Sequence, residues 1–260
     1  MKPDFAEKSL GPLYKDFTSN GQSHCLPCSR PLTTETAIFL TVNGQPRPFG
    51  PVCAKLYASR SLVGIPDLTK NVSFDREDEI DAKSGSAKPD IVESTKRQHS
   101  SPEQKELADA ISYALLRARR LPEMGFQNVK WHLMAEFLAG YELGNTDARL
   151  RKAVTTTIRK NAETPGLQHL SLQNLTACYV FGTIIDKIWA KTRKPSNRLV
   201  TADYNRWRDL NGTLKRELLL TPVNCAEVVD MARRYLPYPP TVKGVSFVAP
   251  RPNPQQKLFG

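Results

Sequence analysis

The sequence predicts a mainly α-helical protein, in which a basic, all-helical domain follows a small module made of a knuckle, a β-hairpin and a helix. Three observations predict this fold. Apolar residues recur every three or four positions through most of the stretch 105–235, which is typical of amphipathic helices. Three of the five cysteines lie between positions 25 and 53, whereas the region after them is polar. A chain of 260 residues is long enough to bury one sizeable core beside such a module.

Composition divides the chain into four segments. Residues 1–69 hold the clustered cysteines, and residues 70–104 are polar, mixed in charge and nearly free of aromatic side chains. Such a segment buries too little apolar surface to offset the entropy of ordering, so we predict a flexible linker there. The helical domain is expected at 105–235. Prolines are frequent in residues 236–260, where they favour an extended tail that projects from the body.

Cys25, Cys28 and Cys53 form the most specific chemical pattern in the chain. Two thiolates separated by two residues wrap a backbone knuckle around a tetrahedral ion, and a third thiolate from a later turn completes most of its shell. We therefore predict one structural Zn²⁺ ion that stabilises the N-terminal module. His24 is the nearest candidate for the fourth ligand, and His99 of the linker is an alternative. A catalytic zinc is not expected, because no Glu or His constellation nearby supplies a general base.

The residues between the knuckle and Cys53 predict a hairpin followed by a helix. A β-branched and aromatic run, 37–42, leads into Asn43-Gly44, a pair that tolerates the positive φ angles of a tight turn. Pro51 suits the first turn of a helix. Knuckle, hairpin and helix in this order resemble a treble-clef zinc module. Modules of that type bind nucleic acid, dock proteins or only stabilise a fold, and the resemblance leaves these three alternatives open.

The cysteine motif has a second resemblance. Cys-x-x-Cys-x-Arg-x-Leu with a later Gly-Pro-x-Cys is similar to small zinc-binding modules that are common in proteins of bacteriophages and other mobile elements. This resemblance covers residues 24–60. A treble-clef helix normally supplies the fourth ligand three residues after the third, where this chain has Leu56. The departure leaves the fourth ligand of the ion open.

Six helices are predicted after the linker. The first begins at Ser101. A proline follows it directly, and Gln104 lies three residues after it, which is the pattern of a capping box. The fourth is the most apolar and is expected to form the core, and the last begins at a second capping box headed by Asn224. The five later helices are predicted at 126–143, 147–162, 171–194, 201–220 and 224–235.

Positive charge is concentrated in the predicted helical domain. The chain has a net charge of +11, and residues 105–235 hold 21 basic against 13 acidic side chains. A field of this sign attracts phosphate backbones and speeds association with them, so we expect DNA as a partner. The candidate DNA-binding residues are Arg149, Arg151, Lys152, Arg159, Lys160, Lys191, Arg193 and Lys194.

The mode of DNA contact stays open at this stage. The helices at 126–143 and 147–162 are joined by a short turn with a glycine, which fits a helix-turn-helix whose basic second helix enters a groove. Nonspecific contact with the DNA backbone is the second interpretation. A solvated basic face that binds nothing is the third.

Gln255, Leu258 and Phe259 lie in a short peptide close to position 260. A glutamine, two variable positions and then Leu-Phe resemble the linear motif with which bacterial replication and repair proteins dock on the sliding clamp. The resemblance implies that Gln255 fills a polar subsite while Leu258 and Phe259 enter an apolar pocket. Gln256 departs from the motif, where leucine is common, and implies weaker docking. Packing of the peptide on the protein's own body is the alternative.

Together these patterns predict a non-enzymatic, cytoplasmic protein of a phage or plasmid that is associated with DNA as an accessory or modulator and docks on the bacterial sliding clamp. No apolar run approaches the roughly 20 residues of a membrane span, and the first residues lack the apolar stretch of a secretion signal. No motif indicates a small-molecule substrate. The competing interpretation is a protein-interaction inhibitor, of an anti-defence or host-takeover kind, that never contacts nucleic acid. An enzyme whose site residues are dispersed along the sequence is the third.

Overall fold

The computed structural model describes residues 11–18, 24–32, 35–59, 61–74, 101–126, 128–193 and 198–251. Within these ranges the protein is mainly α-helical, as predicted, and a small antiparallel sheet lies near the cysteine cluster. Several residues singled out in the sequence lie outside the described ranges. They are His99, Lys194, Gln255, Leu258 and Phe259.

Three antiparallel strands form the N-terminal sheet in the order β1 (Pro12–Phe17), β2 (Thr36–Val42) and β3 (Gln45–Phe49). The turn between β2 and β3 has positive φ at both Asn43 (52°) and Gly44 (74°), as the predicted tight turn requires. Helix α1 (Pro51–Tyr57) follows with its proline in the first turn. The predicted order of hairpin and helix is therefore confirmed, whereas β1 was not predicted.

In the described part of the chain, six helices follow residue 101. Helix α2 (Pro102–Leu115) continues through a π-helical turn and a last α-helical turn to Glu123, and its capping box is formed as predicted. A 3₁₀ turn lies at Gln168–Leu170. The other helices are α3 (His132–Glu142), α4 (Ala148–Glu163), α5 (Leu172–Thr192), α6 (Thr201–Glu217) and α7 (Pro222–Tyr235).

Two predicted helix starts are wrong. The helix expected from 126 begins at His132, because Phe126 and Val129 belong to a loop that buries both side chains. Burial in that loop produced the apolar spacing that was interpreted as helical. The last helix is capped by Thr221, whose hydroxyl accepts a hydrogen bond from the backbone N–H of Asn224, so Asn224 lies inside the helix.

The central element of the core is α5. Its buried residues cover almost the whole circumference of the helix, in agreement with the predicted core position of this segment. The same cluster of buried side chains includes residues from the N-terminal sheet and from the loop after α1. These N-terminal members are Leu13, Tyr14, Phe17, Ala37, Phe39 and Leu68.

A buried carboxylate joins the sheet to the helices. The Asp16 side chain is fully buried and accepts hydrogen bonds from Nε of Arg120 at 2.5 Å and from the hydroxyl of Tyr179. Burial raises the pKa of Tyr179 well above its usual value, which keeps this phenol protonated and able to donate. Nearby, the hydroxyl of Tyr141 donates to the backbone oxygen of Leu13 at 3.0 Å. Polar as well as apolar contacts therefore fix the sheet on the helical body.

Parts of the predicted linker and tail also pack on the body. Strand β4 (Val72–Ser73) lies within the predicted linker range and pairs with β5 (Thr241–Val242) of the predicted tail range. Phe247 stacks on Phe181 of α5 with ring centroids 5.8 Å apart. Part of the predicted tail range therefore packs on the body, and the last residues, which the sequence predicts to project, lie outside the described ranges.

None of the helices in the described ranges combines the length with the apolar character needed to cross a membrane. The longest of them, α5, contacts α2, α6 and α7. Its apolar surface is buried within the protein.

Candidate metal centre and basic surface

Cys25, Cys28 and Cys53 come together as the sequence predicted. Their sulfur atoms all lie within 4.8 Å of one another. In a tetrahedral thiolate site with Zn–S bonds of about 2.3 Å, the sulfur atoms are about 3.8 Å apart, so small side-chain adjustments bring the three thiols around one ion. The three cysteines can therefore hold one metal ion.

The local backbone presents these sulfur atoms through a tight knuckle. The N–H of Cys25 donates to the oxygen of Arg30 at 2.9 Å, and the N–H of Ser29 donates to the oxygen of Cys25 at 2.8 Å. Ser29 has a φ of 54°, which turns the chain back at this point. The N–H of Gly50 donates to the sulfur of Cys25 at 3.2 Å, so the start of α1 is tied to the knuckle.

The environments of the three thiols differ. Burial raises the pKa of the Cys53 thiol to about 12, and the neighbouring thiols of Cys25 and Cys28 add to this shift. A hydrogen bond from the backbone of Arg30 lowers the pKa of Cys28, with a further contribution from Cys25. Without a cation, these surroundings therefore favour the thiolate at Cys28 and disfavour it at Cys53. A bound cation would favour the thiolate at Cys53 as well, because thiols deprotonate when they coordinate a metal.

The cluster that the structure describes has three ligands. His24 is exposed and forms an isolated β-bridge with Pro31, and it is not among the side chains gathered at the cluster. Its role as the fourth ligand stays a prediction. Leu56 occupies the position where a treble-clef helix supplies a ligand, and its side chain is exposed. Thiolates select zinc and other soft metals over hard cations, so the donor set fits Zn²⁺ without identifying it.

The candidate DNA-binding residues of α4 are mostly free of partners. Arg149, Lys152, Arg159 and Lys160 are exposed, and none of them forms an ion pair with a residue that the structure describes. Arg151 differs, because it donates to the backbone oxygen of Glu103 at 3.3 Å and lies 3.8 Å from a carboxylate oxygen of Glu106. Four of the five α4 residues therefore present charge that no described acidic residue compensates.

Elsewhere in the helical body, several arginines either pair with acidic side chains or are buried. Arg119 forms a two-bond ion pair with Glu142 at 2.5 and 2.6 Å, and Arg120 pairs with Asp16. Arg117 is buried and donates to the backbone oxygen of Val129 at 2.7 Å. Further ion pairs involve Arg206 with Glu227 and Arg234 with Asp203.

The basic residues at the end of α5 have a different environment. Lys191 is exposed without an ion pair in the described ranges, and the guanidinium of Arg193 lies 5.6 Å above the ring of Trp189. Trp189 in turn contacts Tyr204 and Trp207 of α6. The sequence analysis missed this aromatic group, although Tyr204 and Trp207 are three residues apart and so share a helix face.

Comparisons with known proteins add no relative to these observations: no protein-family model, no curated protein and no solved structure matches the chain.

Proposed function

We propose that the protein binds DNA through the exposed basic residues of α4, while a structural zinc ion at Cys25, Cys28 and Cys53 stabilises the knuckle. The observation that supports DNA binding is the group of Arg149, Lys152, Arg159 and Lys160, which are exposed and unpaired in the part of the chain that the structure describes. Surface cations that are not neutralised by neighbouring acids are available to phosphates.

The spacing of these side chains fits a nucleic-acid backbone. At 3.6 residues per turn, the four positions fall within an arc of about 100° on α4, and at a rise of 1.5 Å per residue they span about 16 Å. Duplex DNA carries one negative charge per ~1.7 Å of its axis, so a stripe of this length faces several phosphates at once. The stripe therefore supports contact with the DNA backbone more directly than readout of bases.

Salt dependence tests the proposal. We expect the affinity for a short duplex to fall steeply with ionic strength, and the triple variant Lys152→Gln, Arg159→Gln, Lys160→Gln to reduce the slope of log K against log salt by about 3, one for each side chain. A matched control removes three exposed lysines elsewhere, with Lys70→Gln, Lys130→Gln and Lys243→Gln. Equal loss of affinity in both triple variants would mean that net charge, and not the stripe, determines binding.

Clamp docking is the second part of the proposal and depends on sequence alone. Gln255, Leu258 and Phe259 lie outside the described residues, so the support is their match to the clamp-binding motif. A pulldown with a purified bacterial sliding clamp tests it, with Leu258→Ala, Phe259→Ala as the variant and Pro252→Ala as a neighbouring control. We expect loss of recovery only for the double variant, and equal recovery of all forms excludes this mode of docking.

An apolar surface favours a second candidate, inhibition of another protein without contact to nucleic acid. Val52 and Leu56 are 71% and 74% exposed on α1, on either side of Cys53. The two side chains lie one helical turn apart, and contiguous exposed apolar side chains mark protein-docking surfaces. This candidate predicts no DNA binding at low salt together with a protein partner that the variant Leu56→Asp loses. Salt-sensitive DNA binding that Leu56→Asp leaves unchanged favours the first candidate.

A further inference from the structure

The ends of α5 and α6 enclose a small cleft that the sequence did not indicate. Its volume is about 280 Å³, close to the lower limit for a small-ligand pocket and large enough for one planar ring system. We call it the aromatic cleft. Its lining residues are Trp189, Thr192, Arg193, Arg198, Leu199 and Tyr204.

A stack of aromatic rings forms one side of the aromatic cleft. Trp189 and Trp207 are stacked with centroids 4.7 Å apart and planes inclined by 19°. The indole N–H of Trp207 donates to the backbone oxygen of Ile185 at 3.1 Å, which fixes this ring on α5. Tyr204 lies 6.2 Å from Trp189 and 6.1 Å from Trp207, and it remains 39% exposed. The hydrogen bond of Trp207 therefore fixes the inner part of the stack on α5, whereas Tyr204 is open to solvent.

Positive charge borders the same cleft. Arg193 and Arg198 are exposed, and neither forms an ion pair with any residue of the described ranges. None of the six lining residues is acidic. The nearest carboxylate along α6, that of Asp203, is occupied by Arg234 and by the hydroxyl of Tyr235. Two guanidinium groups are thus free to contact an anion beside an open aromatic ring.

Aromatic faces and unpaired arginines in one cleft match the two parts of a nucleotide. A base stacks on an aromatic ring, while guanidinium groups contact the phosphates that flank it. Bases in a duplex are stacked on each other and present only their edges, so a ring face can receive a base only from an unpaired strand. The size of the cleft agrees with one such base.

We propose that the aromatic cleft binds an unpaired nucleotide of single-stranded DNA, with the base stacked on Tyr204 and its phosphates held by Arg193 and Arg198. This inference rests on the proposed DNA binding and adds to it a preference for single strands. The cleft is built by α5 and α6, whereas α4 packs against α2 and α3. The two surfaces are therefore separate elements and can be tested separately.

The test compares a labelled oligothymidylate with a duplex of the same length, using the full chain at low salt. We expect Tyr204→Ala to weaken binding of the single strand about tenfold, equivalent to ~1.4 kcal/mol, and to leave duplex binding unchanged. Tyr204→Phe keeps the ring and should retain the affinity of the original protein. Tyr238→Ala removes an equally exposed tyrosine outside the cleft and serves as the control. Quenching of tryptophan fluorescence by the oligonucleotide, reduced in Tyr204→Ala, reports on the cleft directly.

The possible outcomes separate this inference from the proposed function. Equal affinity for single strand and duplex, unchanged by Tyr204→Ala, overturns the aromatic cleft as a site and leaves the α4 stripe intact. Binding to neither DNA form at low salt overturns both proposals. Tighter binding of an oligouridylate than of the oligothymidylate, also lost in Tyr204→Ala, identifies RNA as the ligand and overturns the assignment to DNA.

Discussion

Asp16 shows how much of this fold depends on single polar residues. Its carboxylate has no exposed surface, and the side chains of Arg120 and Tyr179 donate to it from positions 104 and 163 residues further along the chain. Local sequence around Asp16 gives no sign of this role, because both partners are remote. A buried charge is tolerated only where donors replace the water that it lost.

Replacing Asp16 by asparagine should therefore destabilise the protein strongly. The variant removes the fully buried charge that Arg120 faces and leaves this mostly buried guanidinium with only the largely exposed Glu123, 3.1 Å away, as an ion-pair partner in the described ranges. Breaking a buried pair from one side costs about 3–5 kcal/mol. Urea denaturation measures the change in the free energy of unfolding. Asp230→Asn breaks a largely exposed pair with Arg233 and should cost less than about 1 kcal/mol. Similar costs for the two variants would contradict the role assigned to Asp16.

At the scale of secondary-structure elements, the sequence correctly predicted the features that depend on residues close together in the chain. The capping box at Ser101, the Asn43-Gly44 turn and the proline start of α1 all form as expected, since each depends on residues within a few positions. Strand β1 and the loop around Phe126 were not predicted. Both are determined by distant partners: β1 pairs with β2 across the knuckle, and Phe126 packs against Gly182 of α5.

The knuckle and α1 form an element whose order should depend on the metal. Among the described residues, the buried apolar cluster beside the cysteines consists of Leu40, Phe49 and Ala54, which is too little to stabilise the segment alone. Metal removal by a chelator, or Cys28→Ser, should therefore increase hydrogen exchange at the amides of Leu26 and Ala54 and leave α5 protected.

Two further measurements test this prediction about the metal. Coordination requires deprotonated thiols, so metal affinity should rise with pH and binding should release protons. Cys225→Ser changes a cysteine outside the cluster and should keep one bound metal per chain, measured by elemental analysis. Unchanged exchange at Leu26 and Ala54 in metal-free protein would show that the segment needs no ion.

At the scale of the whole molecule, sequence analysis located the three cysteines and the basic α4 because both are visible as patterns along the chain. The sequence does not show which arginines form internal ion pairs, because Arg119 and Arg120 carry the same charge as Lys152. Nor did it reveal the aromatic cleft. That site exists only because α6 packs against α5 and brings Tyr204 and Trp207 to Trp189.

The segment that follows α7 holds distant parts of the molecule together. It contributes β5 to the pairing with β4, and it places Val242, Val245 and Phe247 against the core. The fully buried Asn174 of α5 exchanges two hydrogen bonds with the backbone of Val248, at 2.7 and 3.0 Å. Residues that precede the helical body in the sequence therefore meet residues that follow it in one stabilising contact region.

Truncation after Pro240 should therefore destabilise the whole protein. The three apolar side chains contribute about 3 kcal/mol or more between them, and Asn174 loses both of its hydrogen bonds to Val248. Truncation after Arg251 keeps every contact described for this segment, so its free energy of unfolding should stay within about 0.5 kcal/mol of that of the full chain. The shorter form should also unfold at lower urea with a smaller m-value, because less surface is buried in its native state. Equal stability of both truncated forms would mean that residues 241–251 do not pack on α5 in solution.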